Sequence, residues 1–392
     1  MKALFCYDGP LYKDENGNYH DSILDDQMFE RYFKVADDLD IVIRTRAVDS
    51  KEAAVRMKRL SNPKISVWEC PSLSSVRELI TNRKKALAII EERVRAADLV
   101  FIRVPSLIGN LAVDVCRKLG KKYLVEVVGC PWDAYWNYSL KGKLMALPAM
   151  NIMRAKVKNA PYALYVTNKF LQQRYPTAGQ SVACSNVELK DVDPGVLERR
   201  VEQMNAWDAS QKFVVGTAAA LDVKYKGQEY VIKALGVLKK KGVVNVEYQL
   251  VGSGSYDYLK SVAEKCGVLD QVKFIGLLPH AKVYDWMDGL NAYAQPSRQE
   301  GLPRSVIEAM SRALPCLGAR TAGIPELLDE SCIFSNSRTE AVEIGRLLQR
   351  LIADKNWALE MARRNFNEAK NYQRDILYRR RTEFFQAFAA QK

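Results

Sequence analysis

Residues 291–310 read NAYAQPSRQEGLPRSVIEAM. The apolar run that ends near Gln295 predicts a buried strand, and Pro303 occupies the first helical position, which proline favours. The start of a helix leaves backbone N–H groups unpaired and carries the positive end of the helix dipole, so it suits a diphosphate. Glu300 precedes this helix and Glu308 lies near its second turn. The two carboxylates are therefore placed to bind different hydroxyl groups of one ligand.

A second segment with phosphate-binding character lies earlier in the chain. The strand-like run 213–216 leads through Thr217 to Lys224, Lys226 and Gly227, after which a helical pattern begins. A lysine at a helix start is mildly unfavourable next to the dipole and becomes favourable when an anion binds there. This segment is therefore expected to bind an anion.

Short apolar runs alternate with amphipathic helical patterns along the whole chain, as in repeated βαβ units. The predicted strands are 3–6, 41–43, 99–104, 123–128 and 163–166 in the first half, and 213–216, 247–251, 272–275, 292–295 and 315–318 in the second. A chain of 392 residues exceeds the length that one core serves. We therefore predict an α/β fold of two Rossmann-like, doubly wound domains that face each other across a cleft. The predicted domains are 1–190 and 211–370, with a linker at 191–210 and a terminal helix at 371–392.

Composition and charge limit the class of protein. The chain is 48% hydrophobic and 27% charged, as in a folded globular protein. No export signal precedes the first predicted strand and no apolar run approaches the about 20 residues of a spanning helix, so we expect a cytoplasmic protein. Eight scattered cysteines and two histidines predict no metal site. The net charge of +13 favours an acidic partner, either phosphorylated substrates, anionic lipid or nucleic acid.

Glu300 and Glu308, with seven residues between them in the context P-S-x-x-E-G-L-P-x-x-x-I-E-A-M, resemble the E-x7-E signature of retaining GT-B glycosyltransferases, the group 1 enzymes often called family 4. The resemblance implies that Glu300 binds hydroxyls of the donor sugar and that Glu308 binds the ribose of the nucleotide. It also implies that the N–H groups at Gly301 and Leu302 face the phosphates. In this fold the terminal helix crosses back to the first domain.

The earlier segment resembles the strand end and Lys-Gly helix start of the same family. Lys226 matches the lysine that contacts the donor diphosphate, so Lys226 and Glu300 are the implied catalytic residues. The family commonly has an arginine about five residues before this lysine, where this chain has Leu221, and Lys224 is expected as the second cation. The remaining residues implied in donor binding are Gly216, Thr217 and Gly252.

The reaction that the resemblance implies is retaining transfer of a hexose-type sugar from a nucleoside diphosphate sugar to a glycan or lipid-linked acceptor. The setting is the assembly of surface polysaccharides. The donor phosphate takes the acceptor proton, so the protein mainly stabilises charge on the departing diphosphate. Neither a metal ion nor another cofactor is implied.

The first domain is expected to bind the acceptor. Gly9 and His20 follow the first predicted strand, in a loop at the ligand-binding edge of a doubly wound sheet. Asp133 follows another strand, where relatives often carry a histidine, and it is either a polar partner for a sugar or a helix cap.

Residues 139–160 carry basic side chains among Leu, Met and Ile, and no acidic residue. This pattern suits attachment to an anionic membrane surface. Pro148 is expected to interrupt the helix, so a basic helix pair covering the sheet is the alternative. The basic residues are Lys141, Lys143, Arg154, Lys156 and Lys158.

Three other functions compete with glycosyl transfer. A GT-B epimerase would also bind a nucleotide sugar, but it needs acid/base side chains, and histidine is scarce here. A donor-binding module without catalysis would fit the missing arginine at Leu221 and the missing histidine near Asp133. A nucleic-acid binder would use the positive charge, but no binding motif, aromatic ladder or basic tail is present, so no nucleic-acid partner is predicted.

Overall fold

The computed structural model describes residues 1–189 and 192–391, apart from the side chains of Arg56 and His280. The chain divides into two compact units. The first comprises Met1–Pro131, Leu147–Cys184 and Tyr378–Lys392, and the second comprises Trp132–Ala146 and Ser185–Leu377. The predicted boundary at residues 190 and 191 lies outside the described residues.

The first unit contains a nine-stranded sheet. Its strands are β1 (Lys2–Lys13), β2 (Tyr19–Asp21), β3 (Asp38–Ala47), β4 (Lys58–Arg59), β5 (Ile65–Glu69), β6 (Leu99–Val104), β7 (Tyr123–Val127), β8 (Tyr162–Tyr165) and β9 (Gln180–Ala183). The order is β4-β2-β1-β6-β7-β8-β9, with β3 paired to both β1 and β5. Only the β1–β2 and β2–β4 pairs are antiparallel. All five strands predicted in this half are present.

The second unit contains a parallel six-stranded sheet. Its strands are β10 (Phe213–Ala218), β11 (Val246–Val251), β12 (Val272–Gly276), β13 (Ala292–Gln295), β14 (Cys316–Ala319) and β15 (Ile333–Phe334). Their order is β12-β11-β10-β13-β14-β15. The strand order reverses direction between β10 and β13, and ligands bind at such a switch point in doubly wound sheets.

Helices connect the strands of both sheets. They are α1 (Asp26–Phe29), α2 (Ser50–Arg56), α3 (Val76–Ala96), α4 (Leu107–Leu119), α5 (Pro131–Tyr138), α6 (Leu140–Lys158), α7 (Phe170–Arg174), α8 (Gly195–Ala206), α9 (Gln228–Lys240), α10 (Asp257–Cys266), α11 (His280–Asp288), α12 (Arg304–Ser311), α13 (Ile324–Leu327), α14 (Glu340–Ala353), α15 (Lys355–Ala369) and α16 (Arg374–Ala390). Within the described part of the chain, no helix combines the length and the hydropathy that crossing a bilayer requires. In the first unit, Phe385 of α16 packs on Phe101 with their ring centroids 4.8 Å apart.

The first strand is longer than the sequence predicted. β1 continues to Lys13, and its pairing with β3 shifts register between Tyr7 and Leu11. Gly9 has a φ of 53°, and a Cβ added there would lie 2.6 Å from Cδ1 of Ile43. The turn-like residues that were expected to end the strand therefore form a bulge within it.

Residues 191–210 were predicted as a linker, but they contain helix α8. Arg200 is 4% exposed, and its guanidinium donates to the carbonyl oxygens of Met287, Leu290 and Arg312 at 3.1, 2.5 and 3.2 Å. These bonds attach α8 to the second unit. The sequence suggested a linker because only Val196 and Arg200 of this polar helix are buried.

Candidate functional site

The predicted site residues Lys226 and Glu300 meet in the second unit. Lys226 Nζ lies 2.7 Å from Glu300 Oε1, and the two side chains are 22% and 11% exposed. They follow β10 and β13, which are neighbours in the sheet. Both protein hydrogen bonds of Glu300 are made by Oε1, the second from Gln295 Nε2 at 3.1 Å. The other oxygen, Oε2, has no hydrogen-bond partner among the described residues and can accept a bond from a ligand hydroxyl.

The loops that carry Lys226 and Glu300 approach each other closely at Gly227. Its φ is 74°, and an added Cβ would lie 2.0 Å from the carbonyl oxygen of Pro296. The Arg298 N–H donates to the carbonyl oxygen of Tyr225 at 2.7 Å. A side chain at residue 227 would separate the loops, so glycine after the lysine is a condition for the Lys226–Glu300 contact.

Gln295 holds Glu300 in place, a role that the sequence did not reveal. It is 1% exposed, and its Nε2 also donates to Ser297 Oγ at 2.8 Å. Its Oε1 accepts bonds from Tyr293 OH at 3.0 Å and Ser305 Oγ at 3.1 Å. Burial raises the pKa of Tyr293, so its hydroxyl stays protonated. The only sequence signal was a polar amide at the end of a buried strand.

We expect Gln295→Leu to lower both stability and activity. The substitution removes the acceptor of the half-buried Ser305 hydroxyl and leaves the buried Tyr293 hydroxyl with only a 3.5 Å contact to the Ala218 carbonyl oxygen, which costs about 1–3 kcal/mol. It also removes the bond that orients Glu300. The matched control is Gln271→Leu, because Gln271 is 6% exposed and donates to the carbonyl oxygen of Val244 at 2.6 Å. Denaturant melts should show the larger loss for Gln295→Leu, because among the described residues Gln271 forms one side-chain hydrogen bond and its buried Oε1 forms none. Only Gln295→Leu should reduce kcat/KM; wild-type turnover by Gln295→Leu contradicts this role.

Arg298 is a further cation of this loop that the sequence did not single out. Its guanidinium lies 4.2 Å from the ring centroid of Tyr230 and pairs with Glu340. Burial raises the pKa of Glu340 to about 7, although Arg298 opposes the shift. These contacts fix the position of the loop between β13 and α12.

Helix α12 begins at Arg304, with Pro303 as its N-cap and without a side-chain cap. The helix thus starts one residue later than predicted. Its first N–H groups have no intrahelical acceptor and form a positive end. Glu308, in the second turn, is 6% exposed. Burial, together with the nearby Glu308 carboxylate, raises the pKa of Tyr284 to about 12.

The backbone just before α12 is anchored to the following loop. The Gly323 N–H donates to the carbonyl oxygen of Gly301 at 3.0 Å. The N–H groups of Gly301 and Leu302 lie on the segment that enters the helix. The family resemblance implies that these two groups face the phosphates.

Two predicted donor-binding residues serve packing in the structure. Thr217 is fully buried, and its Oγ1 donates to the carbonyl oxygen of Ala294 at 2.6 Å while accepting from Tyr248 OH at 2.8 Å. A Cβ added to Gly216 would lie 2.4 Å from Leu290 Cδ1. Thr217 is the penultimate residue of β10, so its side chain packs within the sheet, and donor binding by the backbone of these two residues stays a prediction.

The other positions that the sequence analysis assigned to the donor site lie near the end of β10: Gly252, Lys224 and Leu221. A Cβ added to Gly252 would meet the carbonyl oxygen of Ala219 at 1.9 Å, so glycine allows the two loops to approach. Lys224 Nζ lies 4.7 Å from the ring centroid of Tyr258. Leu221, at the place of the expected arginine, is 3% exposed and belongs to the core. An arginine there would be buried, so this chain has no clamp of the expected kind at that position.

The residues that were expected to bind the acceptor sugar lie in structural elements other than the predicted ones. His20 lies in β2 instead of a loop, is 7% exposed, and has Nε2 2.9 Å from Asp14 Oδ2. Burial opposes ionisation of Asp14, but hydrogen bonds from Asn18, His20 and the Asn16 N–H outweigh it and hold the pKa of this carboxyl well below its usual range. His20 therefore braces a hairpin and is not an exposed base. Gly9 lies in the β1 bulge.

Asp133 belongs to the second unit, whereas the sequence placed it in the first domain. Its carbonyl oxygen accepts a bond from Asn137 Nδ2 at 2.9 Å, and the same nitrogen donates to the Arg298 carbonyl oxygen at 3.0 Å. Helix α5 is thereby tied to the loop of Glu300. In the described residues, no three side chains of the metal-ligating types come together.

Two of the five basic residues that were predicted to form a membrane-binding surface, Arg154 and Lys156, make polar contacts within the protein. Helix α6 runs through Pro148, which was expected to interrupt it. Lys156 pairs with Asp114, and Arg154 Nε donates to a backbone carbonyl at the end of α7 at 2.8 Å. Lys156 is half-buried and the other four are exposed; of these, Lys141, Lys143 and Lys158 form no ion pair with a described residue.

Comparison with known proteins shows which sequences this chain resembles. Residues 202–371, which contain Lys226, Glu300 and Glu308, match the family model described as glycosyl transferases group 1. Over 382 residues the chain is 31% identical to Protein CapJ of Staphylococcus aureus, a match that covers 95% of this chain and 92% of CapJ. A shorter match, 30% identical over 113 residues, covers 27% of this chain and 28% of the amylovoran biosynthesis glycosyltransferase AmsK of Erwinia amylovora.

Solved structures establish the fold class. Anabaena HepE in complex with UDP superimposes with a TM-score of 0.65 at 16% identity, over 99% of this chain and 100% of HepE. The α/β fold of GT-B type with two Rossmann-like units, predicted from the sequence, is confirmed.

Proposed function

The chain belongs to the group 1 glycosyltransferase family and is a glycosyltransferase, and from that premise we propose that it transfers a hexose-type sugar from a nucleoside diphosphate sugar with retention of configuration. The observation that carries the proposal is the Lys226–Glu300 contact of 2.7 Å beside the uncapped start of α12. A cation and a hydrogen-bond acceptor thus lie on the segments next to a helix start whose positive end suits a phosphate, and this supports the proposal.

The donor is bound by the second unit in this proposal. Glu308 binds the ribose hydroxyls, and Glu300 Oε2 accepts bonds from hydroxyls of the sugar. The N–H groups at Gly301 and Leu302, with the positive end of α12, face the diphosphate. HepE, of the same fold, has been crystallised with UDP and with UDP-glucose, which supports a nucleotide sugar as donor.

In the proposed reaction an acceptor hydroxyl oxygen forms a bond to the anomeric carbon while the bond from that carbon to the diphosphate oxygen breaks. Both events occur on one face of the sugar, and the acceptor proton passes to a phosphate oxygen of the departing nucleoside diphosphate. Negative charge grows on the diphosphate as the bond breaks. Lys226 and the α12 dipole stabilise that charge without a metal ion or another cofactor.

The acceptor in this proposal is a glycan or a lipid-linked sugar, reached at the cytoplasmic face of a membrane. The name of AmsK assigns that relative to the biosynthesis of amylovoran, which supports a role in polysaccharide assembly. The free lysines Lys141, Lys143 and Lys158 support attraction to an anionic membrane surface.

The proposal is tested by incubating the enzyme with nucleoside diphosphate hexoses and a membrane extract as acceptor source, and by following the anomeric proton by NMR. We expect transfer with unchanged anomeric configuration, at the same rate in excess EDTA. Loss of activity in EDTA that Mg²⁺ or Mn²⁺ restores contradicts metal independence. Conversion of the donor to its epimer without an acceptor identifies an epimerase, and donor binding without any turnover identifies a binding module.

A further inference from the structure

A buried ion pair lies next to the loop that carries Glu300. Arg298 of this loop pairs with Glu340, the first residue of α14. Glu340 is 1% exposed, yet its Oε1 has no hydrogen-bond partner among the described residues, and neither has Arg298 Nε. A buried carboxylate with an unpaired oxygen costs free energy. Stability of the fold therefore does not account for this pair.

The surroundings of Glu340 bring its ionisation close to neutral pH. The charged and titratable groups that face it are Arg298 on the loop, Glu229 and Tyr230 on α9, and Glu343 on α14. Burial raises the pKa of Glu340 to about 7, and Glu229 and Glu343 add to the rise, whereas Arg298 opposes it. Burial also raises the pKa of Tyr230, so this phenol stays neutral. The charge of Glu340 thus changes in a range where arginine remains positive.

Arg298 connects Glu340 to both loops of the candidate site. Its guanidinium lies 4.2 Å from the ring centroid of Tyr230. Its backbone N–H donates to the carbonyl oxygen of Tyr225, the residue before Lys226, at 2.7 Å. Glu300 follows two residues after Arg298 and contacts Lys226. A shift of Arg298 therefore moves Glu300, and a misplacement of about 1 Å in a site can cost about 100-fold in rate.

We propose that ionised Glu340 is a positioning residue, which binds the Arg298 guanidinium and so holds the loop of Glu300 in the geometry that binds the donor sugar. When Glu340 takes up a proton, Arg298 loses its charged acceptor and the loop is no longer fixed. Use of the donor then falls as the pH drops through neutrality. The inference rests on the proposed function for the role of Glu300, but the ionisation of Glu340 is measured without a donor.

The first test is the melting temperature of the full chain against pH for the wild type and Glu340→Gln. The pKa of Glu340 rises from its ordinary 4.5 to about 7 on folding. Its contribution to stability is therefore complete below the ordinary pKa and is lost as the pH rises through the folded one. Because glutamine stays neutral, Glu340→Gln should melt above the wild type by a margin that grows from about pH 5 to about pH 8. A margin that does not change with pH overturns the proposal.

The second test is the ratio of kcat/KM for the wild type to that for Glu340→Gln over the same range. We expect a ratio of about tenfold at about pH 8.5, where the variant lacks the charged hydrogen bond to Arg298, and a ratio close to one at about pH 5.5. Other titrating groups affect both enzymes and cancel. In an Arg298→Met background, Glu340→Gln should change kcat/KM little at any pH, since Glu340 acts through Arg298.

Glu343→Gln is the matched control. Glu343 lies on the same helix, and hydrogen bonds from Thr339 and Ser335 lower its pKa, so it stays ionised throughout this range. The corresponding ratio for Glu343→Gln should be independent of pH. In an active enzyme, a ratio for Glu340→Gln that is also constant assigns Glu340 to the fold alone and overturns the inference while the proposed function stands. A wild type without turnover at any pH contradicts the proposed function, and the positioning of the donor sugar with it.

Discussion

Lys226→Met is expected to lower kcat by about 10²- to 10³-fold, the loss typical when one preorganised donor to a developing negative charge is removed. Methionine keeps most of the side-chain length and removes the ammonium group. The charge on the departing diphosphate is larger in the transition state than in the bound donor, so most of the loss should appear in kcat and less in KM. Steady-state kinetics with saturating acceptor measure both.

Lys282→Met is the matched control for Lys226→Met. Lys282 is a lysine of the same unit that pairs with Asp285 at 2.9 Å, and both side chains are more than 65% exposed. An exposed pair contributes little to stability and nothing to the site. Equal kcat values for Lys226→Met and Lys282→Met contradict the assignment of Lys226 to the leaving group.

Glu300→Gln is expected to reduce kcat/KM by about 10- to 150-fold, since a hydrogen bond to a charged acceptor contributes about 1.5–3 kcal/mol. Glutamine keeps the shape of the side chain and removes the charge that Lys226 and the sugar hydroxyls share. Affinity for the free nucleoside diphosphate should stay close to that of the wild type, because Glu300 is assigned to the sugar.

Glu330→Gln is the control for Glu300→Gln, since Glu330 forms an exposed pair with Arg320 in the same unit. It should retain wild-type kinetics. If Glu300→Gln weakens binding of the nucleotide and of the nucleotide sugar by the same factor, the assignment of Glu300 to the sugar is wrong.

The sequence predicted the sheets well because parallel strands are buried on both faces and read as short apolar runs. All ten predicted strands are present. The bulge at Gly9 and helix α8 were missed because tertiary contacts decide both. Pairing with β3 extends β1 across a Gly-Pro turn signal, and the buried Arg200 fixes a helix that is polar elsewhere.

The site was predictable where its chemistry is local. Two strand ends and a helix start, together with the family resemblance, predicted Glu300, Lys226 and Glu308 as site residues. Arg298 acts through Glu340 and Tyr230, which are distant in sequence, and no spacing reveals such contacts. Gln295 acts through nearby side chains whose orientation depends on the folded loop. Thr217 was expected just after the predicted strand 213–216, but the strand continues to Ala218 and buries it. His20 was expected in a loop, because neither its short strand nor its pairing with Asp14 can be recognised without the hairpin.

The central claim is that the second unit binds a nucleoside diphosphate through Glu308, Lys226 and the start of α12. Isothermal titration calorimetry of the wild type and Glu308→Gln with UDP, GDP and ADP tests it most directly. We predict that one nucleotide binds once per chain and that Glu308→Gln weakens its binding by about tenfold or more, through the lost charged acceptor for the ribose. Absence of binding for all three nucleotides, or binding that Glu308→Gln and Lys226→Met leave unchanged, would contradict the claim.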